Sequence, residues 1–224
     1  MLFNSISSGH DHACGITTED QIECWGSDEE GLSTAPSGLF SAVGAGRTAS
    51  CAIRSDGSLE CWGVGAYGET LYPAGLFTSI GVGQWHSCAV KDDASAECWG
   101  YDHYGQATPP EGSFVAVSAG GYHSCGLKVD GSVECWGRDV SGESTPPSGT
   151  DFVAIHAGFE HTCGLLTGGL AVCWGHDLTG AVTPPAVTFE SLSTGSYYTC
   201  GVTTSGAMQC WGTADLGVSS PPEL

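Results

Sequence analysis

A 37-residue period run six times, a turn signal between two short apolar segments in each period, and Gly and Pro too frequent to leave helix-length windows predict an all-β chain, a six-bladed β-propeller. The first cysteine of each copy stands at Cys14, Cys51, Cys88, Cys125, Cys163 and Cys200, in steps of 37, 37, 37, 38 and 37. A second follows ten residues later, at Cys24, Cys61, Cys98, Cys135, Cys173 and Cys210, and each opens a Cys-Trp-Gly triplet. Phe3, Phe40, Phe77, Phe114, Phe152 and Phe189 keep the same pitch, as do Gly9, Gly46, Gly83, Gly120, Gly158 and Gly195. The copies run approximately over 3–39, 40–76, 77–113, 114–151, 152–188 and 189–224, so one domain over 1–224 is expected. The one extra residue falls near Thr150 and Asp151, in a connection.

Within a copy the segments read as short strands. In the fourth, Phe114 to Gly120 is strand A, His123 to Leu127 strand B and Ser132 to Trp136 strand C, with Asp130-Gly131 as the hairpin turn between B and C. A fourth, weak strand is expected through Glu143, Ser144 and Thr145, at an edge, because the following Pro146-Pro147 lacks the N–H groups a central strand needs. A solenoid of stacked coils is the competing architecture; turns at meander spacing favour the propeller.

The cysteines come next. Antiparallel pairing through the turn places Cys88 opposite Cys98 and Val90 opposite Ala96. Opposed residues lie about 4.5–5.5 Å apart at Cα, within reach of a disulfide. One bridge per blade follows: 14–24, 51–61, 88–98, 125–135, 163–173 and 200–210. Twelve paired cysteines suit a secreted or periplasmic protein, from which a signal peptide is expected to have been removed, since Met1 to Asn4 does not open one. Zinc is the other reading, with His12, His86, His123 or His161 beside each pair, but Ala49 and Tyr198 break that set and each pair stands alone in its blade. No metal and no cofactor is therefore expected.

Charge excludes further classes. Lys and Arg number 5 and Asp and Glu 25, so the formal charge is 5 − 25 = −20, and a polyanion repels nucleic acid. No apolar run approaches the ~18 residues of a membrane span. No nucleophile, base and orienting group stand outside the repeat pattern, so the chain does not read as an enzyme.

The run Gly120-Gly121-Tyr122-His123-Ser124-Cys125, then Asp130-Gly131, then Cys135-Trp136-Gly137, resembles the regulator of chromosome condensation repeat, and the likeness extends over all six copies. The short repeat and its Pro-containing tail look most like the bacterial branch that includes the type II β-lactamase inhibitory protein. The resemblance implies a propeller that binds a partner protein through loops on one face. Family members usually carry seven repeats, and this chain carries six.

In a meander the A–B loops and the segments after strand C emerge on one face. There the copies differ. Tyr67, Trp85, Tyr101, Tyr104, Tyr122, Phe159 and Tyr197 gather in these loops, and exposed aromatics are what protein interfaces and sugar-binding surfaces both use. These seven are the expected partner-binding residues; the alternative is that each ring packs over its own blade top. A protein partner is expected, with a lectin-like carbohydrate site or a structural, adhesive segment of a larger surface protein as the alternatives. Asp28, Asp102, Asp139 and Asp177 share an offset that Asx turns explain, with calcium as the rival role.

Overall fold

The computed structural model describes residues 2–149, 151–177 and 179–213. The tail of the sixth repeat beyond Thr213, and the extra residue's site at Thr150, lie outside the described residues. Six antiparallel three-stranded sheets follow one another along the chain, each a blade. Blade one holds β1 (Phe3–Ser8), β2 (His12–Thr17) and β3 (Ile22–Gly26). Blade two holds β4 (Phe40–Ala45), β5 (Ala49–Arg54) and β6 (Leu59–Gly63), and blade three β7 (Phe77–Val82), β8 (His86–Lys91) and β9 (Ala96–Gly100). Blade four holds β10 (Phe114–Ala119), β11 (His123–Lys128) and β12 (Val133–Gly137). Blade five holds β13 (Phe152–Ala157), β14 (His161–Leu166) and β15 (Ala171–Gly175), and blade six β16 (Phe189–Thr194), β17 (Tyr198–Thr203) and β18 (Met208–Gly212). The chain is a six-bladed β-propeller. Residues following the first strand of all six blades line one axial cavity of about 90 Å³.

The register is the one the turns dictate. Cys88 faces Cys98 and Val90 faces Ala96 across β8 and β9. All six disulfides form as expected, with Cα atoms 4.0–4.1 Å apart. Every first strand carries an irregularity just after its Phe, as between Phe114 and Ala116.

The fourth strand expected at Glu143 to Thr145 is absent. Its residues fold back as a tight turn: Asp139 accepts the Ser144 N–H at 2.9 Å and the Thr145 hydroxyl at 2.7 Å. The Glu143 carbonyl accepts the indole N–H of Trp174 in the next blade at 3.1 Å. A tail whose polar groups are engaged this way offers no ladder edge.

That indole contact is the rule between neighbours. Trp62, Trp99, Trp136 and Trp211 donate to the carbonyls of Leu32, Glu69, Gln106 and Ala181. The hydrophobic core accordingly lies between blades: Cys88 and Val90 of blade three pack with Phe114, Val117 and Trp136 of blade four, and the other junctions from blade one to blade six repeat the arrangement. Trp25 differs, being 44% exposed where Trp99 is 8%.

Histidines fasten the same junctions, reaching a strand hydroxyl of the following blade. The pairs are His12 with Ser50 (2.6 Å), His86 with Ser124 (2.7 Å), His123 with Thr162 (2.7 Å) and His161 with Thr199 (2.9 Å). Because the Ser124 hydroxyl donates to the Gln106 carbonyl at 3.0 Å, His86 Nε2 carries a hydrogen and donates to Ser124. Burial holds these rings neutral, lowering His86 and His161 to about 4 and His123 to about 3. On the axis, backbone bonds run from blade to blade: His10 N–H to the Gly46 carbonyl, Arg47 to Gly83, Gln84 to Gly120, Gly121 to Gly158 and Phe159 to Ser196, at 3.1–3.3 Å. A side chain at Gly83 would strike the Gly120 carbonyl, so this approach needs glycine.

Candidate partner-binding face

The pairing of strands B and C sets the face. His123 at the start of β11 lies opposite Gly137 at the end of β12, so the A–B loop and the segment after strand C leave the blade side by side. Gly137 has φ +101°, and a Cβ there would come within 2.7 Å of the Tyr122 carbonyl. The Gly of Cys-Trp-Gly thus lets the two loops touch, and the Arg138 N–H bonds the same carbonyl at 2.9 Å.

The aromatic loops are held from beneath. Glu69 is 1% exposed; one carboxylate oxygen accepts the Tyr67 N–H at 2.7 Å and the other the Thr48 hydroxyl at 3.0 Å. Gln106, fully buried, accepts the Tyr104 N–H at 2.9 Å through its side-chain oxygen. Asp102 accepts the Ala107 N–H and the Thr108 hydroxyl, both at 2.7 Å, and closes the loop that carries Tyr104. Asp28 and Asp177 make the matching contacts in their own loops. Sequence reasoning missed Glu69, Gln106 and Glu143 as supports. Their signal was a shared offset, eight residues after the second Cys, blurred by Leu32 and Ala181 in other copies.

The structure brings all seven expected aromatics into one connected set. Tyr67 meets Tyr101 at 5.0 Å between ring centroids, and Tyr101 meets Tyr122 at 6.4 Å. Trp85, Tyr104 and Phe159 surround Tyr122 at 4.9, 5.5 and 5.6 Å, and Phe159 reaches Tyr197 at 5.5 Å. His103 joins between Tyr101 and Tyr104. Tyr67, Tyr104 and Tyr197 are exposed, and Trp85, Tyr101, Tyr122 and Phe159 half-buried. The rings therefore pack together across blades rather than each over its own. Partial desolvation raises the Tyr122 and Tyr197 phenols above the ordinary value of 10.0, so both stay neutral donors at physiological pH.

Two guanidiniums flank the set. Arg47 lies over Trp85 at 5.4 Å and Arg138 over Tyr122 at 5.9 Å, giving the order Arg47, Trp85, Tyr122, Arg138. Arg138 is neutralised by Glu160 at 2.6 Å and Glu143 at 3.2 Å. Among the described residues no group of three or more His, Cys, Asp or Glu is arranged to hold a metal ion. Nor is any helix among the described residues long and apolar enough to cross a membrane.

Six blades, one disulfide in each, and loops that differ from copy to copy on the aromatic face make this a β-propeller of repeated hairpins. A family model of the regulator of chromosome condensation (RCC1) repeat matches residues 3–31 and 114–143. Blades one and four thus match the RCC1 repeat, and the fold is shared with solved RCC1 structures. Among solved structures, the ectodomain of the receptor kinase CR4 from the moss Physcomitrella patens is similar at 30% identity and TM-score 0.81, over 94% of this chain and 62% of that one. The chain thus spans less than two thirds of that ectodomain. The CRINKLY WD40 ectodomain of the Arabidopsis thaliana receptor kinase ACR4 is 27% identical with TM-score 0.77, over 96% and 82% of the two chains. Prp20p from Saccharomyces cerevisiae, at 15% identity and TM-score 0.82 over 98% and 74%, shares the fold. No curated protein sequence matches the chain. These matches support the repeat family without narrowing it to the bacterial short-repeat branch.

Proposed function

We propose that the protein is a secreted or periplasmic, non-enzymatic binding module that recognises a partner protein through the face built by Tyr67, Trp85, Tyr101, Tyr104, Tyr122, Phe159 and Tyr197. The observation that carries this reading is the continuity of the seven rings, which form one patch spanning blades two to six. Aromatic anchors held in place before contact are the usual source of binding energy at protein interfaces. Six disulfides suit an oxidising compartment, and receptor ectodomains of similar fold fit that setting. Prp20p, described with its binding properties to Gsp1p and histones, supports the use of this fold for protein partners. A sugar-stacking role is less favoured because Trp85 is half-buried with Arg47 and Tyr122 packed against its ring.

The test is affinity capture from the native extracellular fluid with the wild-type chain and with the quadruple variant Tyr67→Ala, Trp85→Ala, Tyr101→Ala, Tyr104→Ala. The expected result is a protein retained by the first and lost by the second, with six intact disulfides in both. Retention of every partner by the quadruple variant overturns the proposed face. Specific signal on a glycan array, abolished by Trp85→Ala, makes the module a lectin instead.

A further inference from the structure

The distribution of positive charge says more about the partner than the net charge does. Of the five cations, Arg54, Lys91 and Lys128 pair with Glu60, Glu97 and Glu134 on the strands that flank the B–C turns, away from the aromatic face. Arg138 is held between Glu143 and Glu160. Arg47 alone has no carboxylate partner among the described residues, and it is exposed. It stands at the aromatic patch, over Trp85, and on the wall of the axial cavity. Carboxylates of this face have partners other than Arg47: Glu69 is buried on Tyr67 and Thr48, Asp102 closes its own loop, and Asp11 lies 2.8 Å from His10.

A second unanswered group sits beside it. Gln84, which lines the same cavity, has a buried side-chain oxygen with no hydrogen-bond partner among the described residues. A buried acceptor left without a donor is costly, so a partner whose docking brings an N–H to it gains by it. An anion, an N–H donor and an apolar flank for Trp85 and Tyr122 are together what a peptide segment offers and an inorganic anion does not.

We propose, resting on the protein-binding reading above, that the partner presents a loop with an Asp or Glu side chain that docks on Arg47 at the axial mouth, its flanking residues covering Trp85 and Tyr122. Arg138 then serves as a positioning residue, keeping Tyr122 in the stack while its own charge is answered within the chain. The net charge of −20 does not forbid this, because exposed charges beyond about 8 Å are largely screened at physiological salt and the contact is chosen by local groups.

The probe is a phage-displayed library of random linear peptides, selected against the immobilised chain and followed by titration calorimetry of the selected peptides. Enrichment of an acidic residue beside an aromatic or aliphatic one is expected. Arg47→Ala is expected to weaken such peptides about ten- to a hundredfold, and Arg47→Glu to shift selection towards Lys and Arg. Replacing the peptide's acid by Gln should cost as much against wild type and little against Arg47→Ala. Peptides that lose affinity with Trp85→Ala but bind Arg47→Ala and Arg47→Glu normally overturn the carboxylate contact and leave the aromatic face standing. Failure to select any peptide, or binding indifferent to Trp85→Ala and Tyr122→Ala, overturns both. Circular dichroism and disulfide mass mapping on each variant separate these results from misfolding.

Discussion

Ala94 sits at φ +68° in the B–C turn of blade three, where blades two and four place Gly57 and Gly131 at +88° and +80°. A Cβ in the left-handed region costs roughly 1 kcal/mol, so Ala94→Gly is expected to stabilise by about 0.5–1 kcal/mol, read as a higher denaturant midpoint at unchanged slope. Here the sequence was fully legible, since Asp-Gly in the sister copies announces the turn. The histidines were legible only in part. Their offset before the cysteine showed a shared role, but the partner hydroxyl lies 38 or 39 residues away in the next copy and no local pattern names it. Their chemistry gives a pH signature. Burial lowers His86, His123 and His161 from 6.5 to about 4, 3 and 4, so the unfolded chain takes up protons first as pH falls. Stability should be full above about pH 6.5 and decline towards pH 4, seen as a falling midpoint of thermal unfolding with disulfides intact. His86→Gln combined with His123→Gln should flatten that decline while lowering stability at pH 7. Hydrogen bonds from Ser58, Ser95 and Ser132 lower Asp56, Asp93 and Asp130 below 3.8, so what they contribute is lost only at still lower pH.

At the scale of the blade, the tryptophans divide into two kinds. Trp99 is buried and donates to the Glu69 carbonyl at 2.7 Å, whereas Trp25 is 44% exposed and touches Phe3. Trp99→Ala is expected to cost about 3–5 kcal/mol and Trp25→Ala no more than half of that, by equilibrium urea unfolding of the oxidised chain. Six identical Cys-Trp-Gly triplets conceal this difference, because the carbonyl that receives an indole lies about 30 residues away in another copy. The same gap explains the misread fourth strand. Pro-terminated short segments look like edge strands in isolation, while the structure uses their carbonyls to receive the neighbour's indole. Strand register and disulfide pairing, by contrast, are set within one hairpin and could be read from turn and spacing alone.

For the molecule as a whole, the charge has a stability consequence. Four of five cations are paired with glutamates, leaving most of the 25 acids to repel one another. Raising salt from about 0.01 M to 0.15 M shortens the screening length from about 30 Å to 8 Å, so the thermal midpoint should rise with salt; a flat or falling curve would show that self-repulsion is minor. The repeat made the propeller legible, and the irregular positions between the repeats marked the loops in which the seven rings meet. How Trp85, Tyr122 and Phe159 join was not legible, because these rings meet across blade boundaries where spacing along the chain says nothing of distance.

The backbone bonds that tie each axial loop to the next blade, from His10 to Ser196, make the aromatic patch a die already cut rather than a glove that fits itself to a hand. Under the proposed function a mismatched visitor would be turned away instead of accommodated. New targets would then be gained by exchanging side chains at fixed addresses, and a single repeat moved between proteins of this kind would carry its portion of the specificity with it.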